Sequence, residues 1–333
     1  MFELSFIWAG IIAFAVLTYV ILDGFDLGVG ILFPFAKGER DRATMMNSVA
    51  PIWDGNETWL VLGGGGLFAV FPLAYAVIMP ALYMPIILML LALIFRGVAF
   101  EYRWRTERWK PVWDVAFAGG SLVAAFMQGI ALGALVQGIE VADRAYAGGW
   151  WDWLSVFSIL TGFAVVIGYA LLGATWIILK TEGSLQRQMQ NYAWWLGAGT
   201  LGFIGIVSIL TPFQDPEYFR RWFNLPGSIF SVLMPGAVAA TAWALFSGLS
   251  AGKDGQPFFA ALSLFVLSFI GIGVSFYPNI VPPNLTIVAA AAPDESLLFA
   301  LVGTVVLVPL ILIYTGYAYW VFRGKIDPEE GYH

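Results

Sequence analysis

From Ile7 to Leu22 the chain carries no charged residue, and two aspartates then fall within four positions, in Leu22-Asp23-Gly24-Phe25-Asp26-Leu27-Gly28. The run has the length of a membrane-spanning helix, since about 20 apolar residues cross the hydrocarbon core. One aspartate at a helix centre costs roughly 2.5–3.5 kcal/mol on insertion scales, so the pair is tolerated only where it faces protein or water. The pattern therefore predicts a helical membrane protein with a polar site inside its first span. A second acidic pair, Asp54 and Glu57, opens the next apolar segment within Trp53-Asp54-Gly55-Asn56-Glu57-Thr58-Trp59, and Arg96 lies near the end of the third.

Composition points the same way. Of the 333 residues, 60% are hydrophobic and only 11% charged, with a mean hydropathy of +0.80, far from the balance of a soluble globular chain. The net charge of -6 says little about partners, because in a membrane protein the placement of charge matters more than its sum. Nucleic-acid binding finds no support. The chain has no cysteine, and its single histidine is His333. Haem, copper and zinc sites draw on those two residue types, so no cofactor or metal is expected on ligands of this chain. The nine methionines read as packing material. Met1-Phe-Glu-Leu lacks a basic leader region, so no cleavable signal peptide is expected.

Apolar length predicts nine spans: Leu4 to Phe35, Ile52 to Phe71, Ala74 to Phe100, Val112 to Gly138, Val156 to Leu179, Ala193 to Pro212, Gly227 to Ser250, Pro257 to Tyr277 and Leu297 to Val321. Basic residues collect in cytoplasmic loops. Thirteen of the sixteen (Lys37, Arg40, Arg42, Arg96, Arg103, Arg105, Arg108, Lys110, Lys180, Arg187, Lys253, Arg323 and Lys325) fall at or after the ends of odd-numbered spans, against Arg144, Arg220 and Arg221 elsewhere. The expected amino terminus is therefore outside and the carboxyl terminus cytoplasmic. The organisation read from this is all-α and polytopic: a first four-helix bundle over 1–138 carrying the acids, an outer loop over 139–155, a second four-helix bundle over 156–278, and an outer turn, ninth helix and tail over 279–333. A weak internal echo accompanies it. Gly168-Tyr169-Ala170-Leu171-Leu172-Gly173 falls in the second bundle where the first has its Asp23 segment, but without the acids.

With that orientation Asp23, Asp26, Asp54, Glu57, Arg96 and Glu101 all occupy the cytoplasmic half. Residues three apart share a helix face, so each acidic pair is able to line one polar track. Carboxylate chains running from one aqueous side into a membrane protein are how proton relays are built. The plainer alternative is that Arg96 neutralises some of these acids while others sit as ordinary helix-end charges, favoured by the helix dipole. Gly63-Gly64-Gly65-Gly66 reads as close helix packing, not a phosphate loop, since no Lys-Ser/Thr follows it. The Phe276-Tyr277-Pro278 to Pro282-Pro283 stretch reads as a structural turn.

Four segments in order, Asp23 to Gly30, Asn47 to Pro51, Trp53 to Leu60 and Phe95 to Arg103, with Phe276-Tyr277-Pro278 and Tyr314 to Trp320, together resemble subunit II of the cytochrome bd-type quinol oxidases over essentially the whole length. The compact length and short loop between spans six and seven resemble the cyanide-insensitive branch. The resemblance implies a heterodimer in the bacterial cytoplasmic (inner) membrane that oxidises ubiquinol or menaquinol and reduces oxygen to water. It implies two b-type haems plus haem d, or a third b-type haem, in subunit I. A small single-span accessory subunit, membrane lipid and quinone are the further partners it implies. It also implies a proton path through Asp23, Asp26 and Asp54. Glu57 extends that path, at a position where some members carry glutamine. Arg96 would match an arginine tied to haem assembly, with Trp53 and Glu101 as supporting residues. Two other readings stand beside this one, a proton- or cation-coupled secondary transporter and a purely structural membrane subunit.

Overall fold

The computed structural model describes residues 3–225 and 227–326. The long helices are α1 (Leu4–Leu32), α3 (Trp53–Val70), α5 (Tyr83–Tyr102), α6 (Lys110–Gln137), α7 (Val156–Lys180), α8 (Gly183–Leu210), α10 (Gly227–Ser250), α11 (Gly255–Phe276) and α13 (Asp294–Val321). Shorter helices lie between them: α2 (Glu39–Asn47), α4 (Pro72–Ala81), α9 (Pro216–Phe223) and α12 (Ile287–Ala290). Among the described residues eight helices are long and apolar enough to cross a membrane, and α3 is not among them. Its 18 residues include Asp54, Glu57 and four consecutive glycines, which dilute its apolar character while its length still matches the expected second span.

The expected third span, Ala74 to Phe100, is two helices. α4 ends at Ala81 and α5 begins at Tyr83, with Leu82 between them out of helical geometry (φ -108°, ψ 21°). Pro80 and Pro85 flank the break, and each lacks the N–H that would continue the helical ladder. Two connections expected to be irregular contain antiparallel hairpins. β1 (Val141–Ala142) pairs with β2 (Ala145–Tyr146) in the 139–155 loop, and β3 (Asn279–Val281) with β4 (Leu285–Thr286) in the proline-rich turn. The turn is tied to the end of α6, where the Ile139 N–H donates to the Pro282 carbonyl.

Local chemistry sets several ends. Ser155 closes the start of α7 with a reciprocal capping box to Ser158, and the Asp215 side chain caps α9. At the centre, α7 packs on both α1 and α6. A side chain at Gly28 would strike the Tyr169 backbone, and one at Gly173 would strike the Gly28 backbone. The helices meet there at backbone contact, an approach that small residues permit. A similar approach sets the site: a β-carbon on Gly120 of α6 would lie 2.6 Å from the Ala92 carbonyl oxygen and 3.1 Å from the Arg96 β-carbon. The missing side chain is what lets α5 lie against α6 and carry Arg96 inward.

Candidate functional site: a buried guanidinium among three carboxylates

Arg96 is fully buried, and three acids from two other helices surround it. One turn of α1 presents Asp23 and Asp26, both with no exposed surface. The first turns of α3 present Glu57. Arg96 Nη1 donates to Asp23 Oδ1 at 3.2 Å and to Glu57 Oε1 at 2.7 Å. Its Nη2 stands 3.9 Å from Asp26 Oδ2. Glu57 keeps 24% of its side chain exposed, which makes it the edge of the cluster.

The remaining predicted residues divide. Asp54 lies one turn before Glu57 on α3 and is exposed. Trp53 stacks on Phe100, with ring centroids 4.7 Å apart and planes 9° apart, and the Arg96 guanidinium lies 5.6 Å from the Phe100 ring centre. This aromatic pair walls the cluster. Glu101 is not brought in: it is exposed at the end of α5 and pairs with Arg105 at 3.5 Å. On a helix its position is five residues from Arg96, more than one turn away and off the same face.

Several polar residues that sequence reasoning missed extend the cluster. Asn56 is buried and donates from Nδ2 to Asp26 Oδ2 at 2.7 Å, while its Oδ1 accepts from the Tyr319 hydroxyl of α13 at 2.9 Å. In another direction, Tyr19 precedes Asp23 by one turn. Its hydroxyl accepts from Gln128 Nε2 at 2.7 Å, and Gln128 Oε1 accepts from the Tyr169 hydroxyl at 2.8 Å. Hydrogen bonds thus run from Tyr19, one helical turn from Asp23, across α6 to α7. Asn56 sat unremarked between Asp54 and Glu57, and Gln128, Tyr19, Tyr169 and Tyr319 are uncharged residues of apolar helices, a signal too weak alone to pick them out. Buried atoms without a protein partner remain inside the cluster, namely Asp23 Oδ2, Asp26 Oδ1, Arg96 Nε and Arg96 Nη2.

A separate ion-pair collar lies among the helix connections. Arg103, wholly buried, donates from Nε to Asp114 Oδ1 at 2.5 Å and from Nη2 to Glu39 Oε2 at 2.9 Å. Lys110 pairs with Glu39 at 2.9 Å, and Arg42 with Asp114 at 3.1 Å. Partial burial pushes the Glu39 carboxyl up, but hydrogen bonds from Lys110 and Arg103 outweigh it and hold the group below its ordinary value. Among the described residues no group of three histidine, cysteine, aspartate or glutamate side chains is arranged to hold a metal ion. His333 lies outside the described residues.

Fold and site define a multi-pass membrane protein built round a buried carboxylate–guanidinium cluster. The family model for cytochrome bd terminal oxidase subunit II matches residues 4–322, and the chain belongs to that family. It is 30% identical to the cytochrome bd-I ubiquinol oxidase subunit 2 of Escherichia coli K12, over 98% of this chain and 96% of that one. It is 29% identical to the cytochrome bd ubiquinol oxidase subunit 2 of Bacillus subtilis, over 99% of each. The bd oxidase structure from Geobacillus thermodenitrificans superposes with a TM-score of 0.77 at 16% identity, covering 96% of this chain and 99% of that one, and shares the fold. The chain is therefore a subunit of a quinol-oxidising terminal oxidase in the bacterial inner membrane, working beside subunit I in a complex that carries haem. Membership also decides between this reading and the transporter. None of the residues around Arg96 is a histidine or cysteine, so the cluster suits proton and charge chemistry better than iron ligation.

Proposed function

We propose that the Arg96 cluster is the proton-handling element of the complex, taking protons from the cytoplasmic side through Asp54 and Glu57 to Asp23 and Asp26. One observation carries this reading: a single guanidinium faces three carboxylates, two of them without exposed surface. One positive charge balances one carboxylate. The remainder must be balanced by protons or by a group outside this chain, because unpaired buried charge is costly. A site of that composition exchanges protons when its surroundings change charge. Asp54 at the exposed end and Glu57 at the edge supply the route in.

The charge distribution supports an outer amino terminus and cytoplasmic basic loops, so the cluster would face the cytoplasm. Haem held by subunit I, two b-type haems with haem d or a third b-type haem, would supply the electrons that reduce oxygen. Ubiquinol or menaquinol would be the donor, in keeping with the ubiquinol oxidases among the relatives. Electrons arriving from the outer side and protons from the inner side would separate charge without a pump. An accessory single-span subunit, lipid and quinone are compatible additional partners.

The test is oxygen uptake by purified complexes carrying Glu57→Gln or Asp54→Asn, with haem content measured alongside. Slower turnover at full haem content is the expected result, and normal turnover at full haem content removes the proton role. A second reading is favoured by the contacts Arg96 makes with all three acids, which suit a structural clamp that secures haem assembly. Under that reading haem content falls while turnover per haem stays normal.

A further inference from the structure

Asp26 differs from the other acids of the cluster in how it is held. It lies 3.9 Å from Arg96, beyond hydrogen-bond reach, and its one side-chain donor is the Asn56 amide at 2.7 Å. Asn56 is in turn held by the Tyr319 hydroxyl at 2.9 Å, across the seam where α13 meets α3. Beside this chain of hydrogen bonds is a small cavity of about 20 Å³, bordered by Gly55, Asn56, Tyr314 and Tyr319 among others. That is room for one water, given that a cavity of about 10–15 Å³ on this measure suffices. The cavity exists partly because residue 55 has no side chain: a β-carbon there would face Tyr314 at 4.0 Å.

An amide and a hydroxyl in series have two self-consistent arrangements. In the observed one Tyr319 donates to Asn56 Oδ1, and Asn56 Nδ2 donates to Asp26, which acts as an acceptor. This suits an ionised carboxylate, which offers no hydrogen of its own. If Asp26 gains a proton, its O–H needs an acceptor. A half-turn of the Asn56 amide presents Oδ1 to Asp26 and Nδ2 to the Tyr319 oxygen. The Tyr319 hydrogen then turns away from Asn56, and the water-sized cavity is where an acceptor for it fits. No covalent bond of Asn56 or Tyr319 breaks, and the single proton added stays on the carboxylate.

We propose that Asn56 and Tyr319 are positioning residues for the proton chemistry, coupling the charge on Asp26 to the α3–α13 seam by reversing the direction of their hydrogen bonds. The proposal rests on the proton-handling reading of the Arg96 cluster. It adds a contribution from the last helix, whose Tyr319 lies 263 positions from Asn56 yet completes the surroundings of Asp26.

The experiment uses the whole purified oxidase with three single changes: Tyr319→Phe, Gly55→Leu and Glu57→Gln. Oxygen uptake per haem is read together with the infrared C=O stretching band of protonated carboxylic acid, assigned to Asp26 by its loss in Asp26→Asn. Tyr319→Phe keeps the ring and removes the switching hydroxyl. Gly55→Leu fills the cavity from its other wall and leaves all three hydrogen-bonding groups in place. Both are expected to shift the Asp26 band and to slow uptake roughly three- to tenfold, the effect of one lost hydrogen bond. If Glu57→Gln slows uptake while neither of the other two changes moves the band or the rate, the coupling is overturned and the proton-handling reading stands. If Glu57→Gln leaves uptake normal at full haem content, that reading itself falls, and the coupling with it.

Discussion

The α1 segment from Asp23 to Gly28 and the α7 segment from Gly168 to Gly173, the two segments of the internal echo, meet at the backbone through Gly28 and Gly173. Aligned on those glycines, Asp23 corresponds to Gly168 and Asp26 to Leu171. The first half turns its positions toward Arg96. In the second half Leu171 is fully buried, and a side chain on Gly168 would collide with the Phe265 ring at 2.7 Å. Aromatic packing fills the neighbourhood, with Trp176 stacked on Phe25 at 4.3 Å and Phe258 5.3 Å from Trp176. The two segments thus face a charged cluster on one side and an aromatic-packed apolar core on the other. Buried acids are tolerable where a guanidinium reaches them, as Arg96 does; the cation beside the aromatic core, Lys180, lies 5.3 Å from the Trp176 ring centre and donates to the Phe322 carbonyl instead.

The contrast is broken most severely by removing the guanidinium. Arg96→Leu leaves three acids around no positive charge, and breaking a buried ion pair costs about 3–5 kcal/mol. The expected outcome is loss of assembled, haem-loaded complex, read by the yield and haem content of the purified oxidase. Next comes the seam that the two halves share. Gly173→Val would drive a side chain into the Gly28 backbone, and overpacking of this kind costs about 1–3 kcal/mol, occasionally more. A lower melting temperature of the complex is expected, whereas valine at Gly64, with open space where its side chain would go, should change it little.

A milder change sharpens the functional side of the contrast. Asp54 is exposed, so Asp54→Asn should leave stability and haem content intact while oxygen uptake falls several-fold. The smallest effect belongs to the collar. The Glu39 carboxyl is held below its ordinary value by Lys110 and Arg103, so its stabilising contribution is present above the value of the unfolded chain and fades as pH falls through the lower folded value. Melting of the wild-type complex should therefore decline between about pH 5 and pH 3 more steeply than that of Glu39→Gln. Because Glu39 is half exposed, the difference should be small.

Much of the architecture was legible before any coordinates. Apolar length located α1, α6, α7, α10, α11 and α13 to within a few residues, because the bilayer sets a length that a sequence must meet locally. The break at Leu82 was missed: apolar composition is the same on both sides of it, and only the backbone demands of Pro80 and Pro85 divide the segment. The hairpins near Val141 and Asn279 escaped for the opposite reason, since strands of two or three residues are too short to show a period. At the site, Asp23, Asp26, Glu57 and Arg96 stood out because charge in an apolar helix is conspicuous. Asn56, Gln128 and Tyr319 carry no charge and left no comparable mark.

The amino-acid order by itself determined that this chain spans a membrane many times, that its acids belong to the first two long apolar segments, and that one arginine in the third could answer them. Those are consequences of local length and local charge. Tertiary structure decided that Arg96 touches three carboxylates at once, that Glu101 stays outside, and that a tyrosine from the last helix closes the hydrogen bonds of Asp26. Helical period says which residues share a face, but which faces meet is settled by how closely the backbones approach, here at Gly28, Gly173 and Gly120.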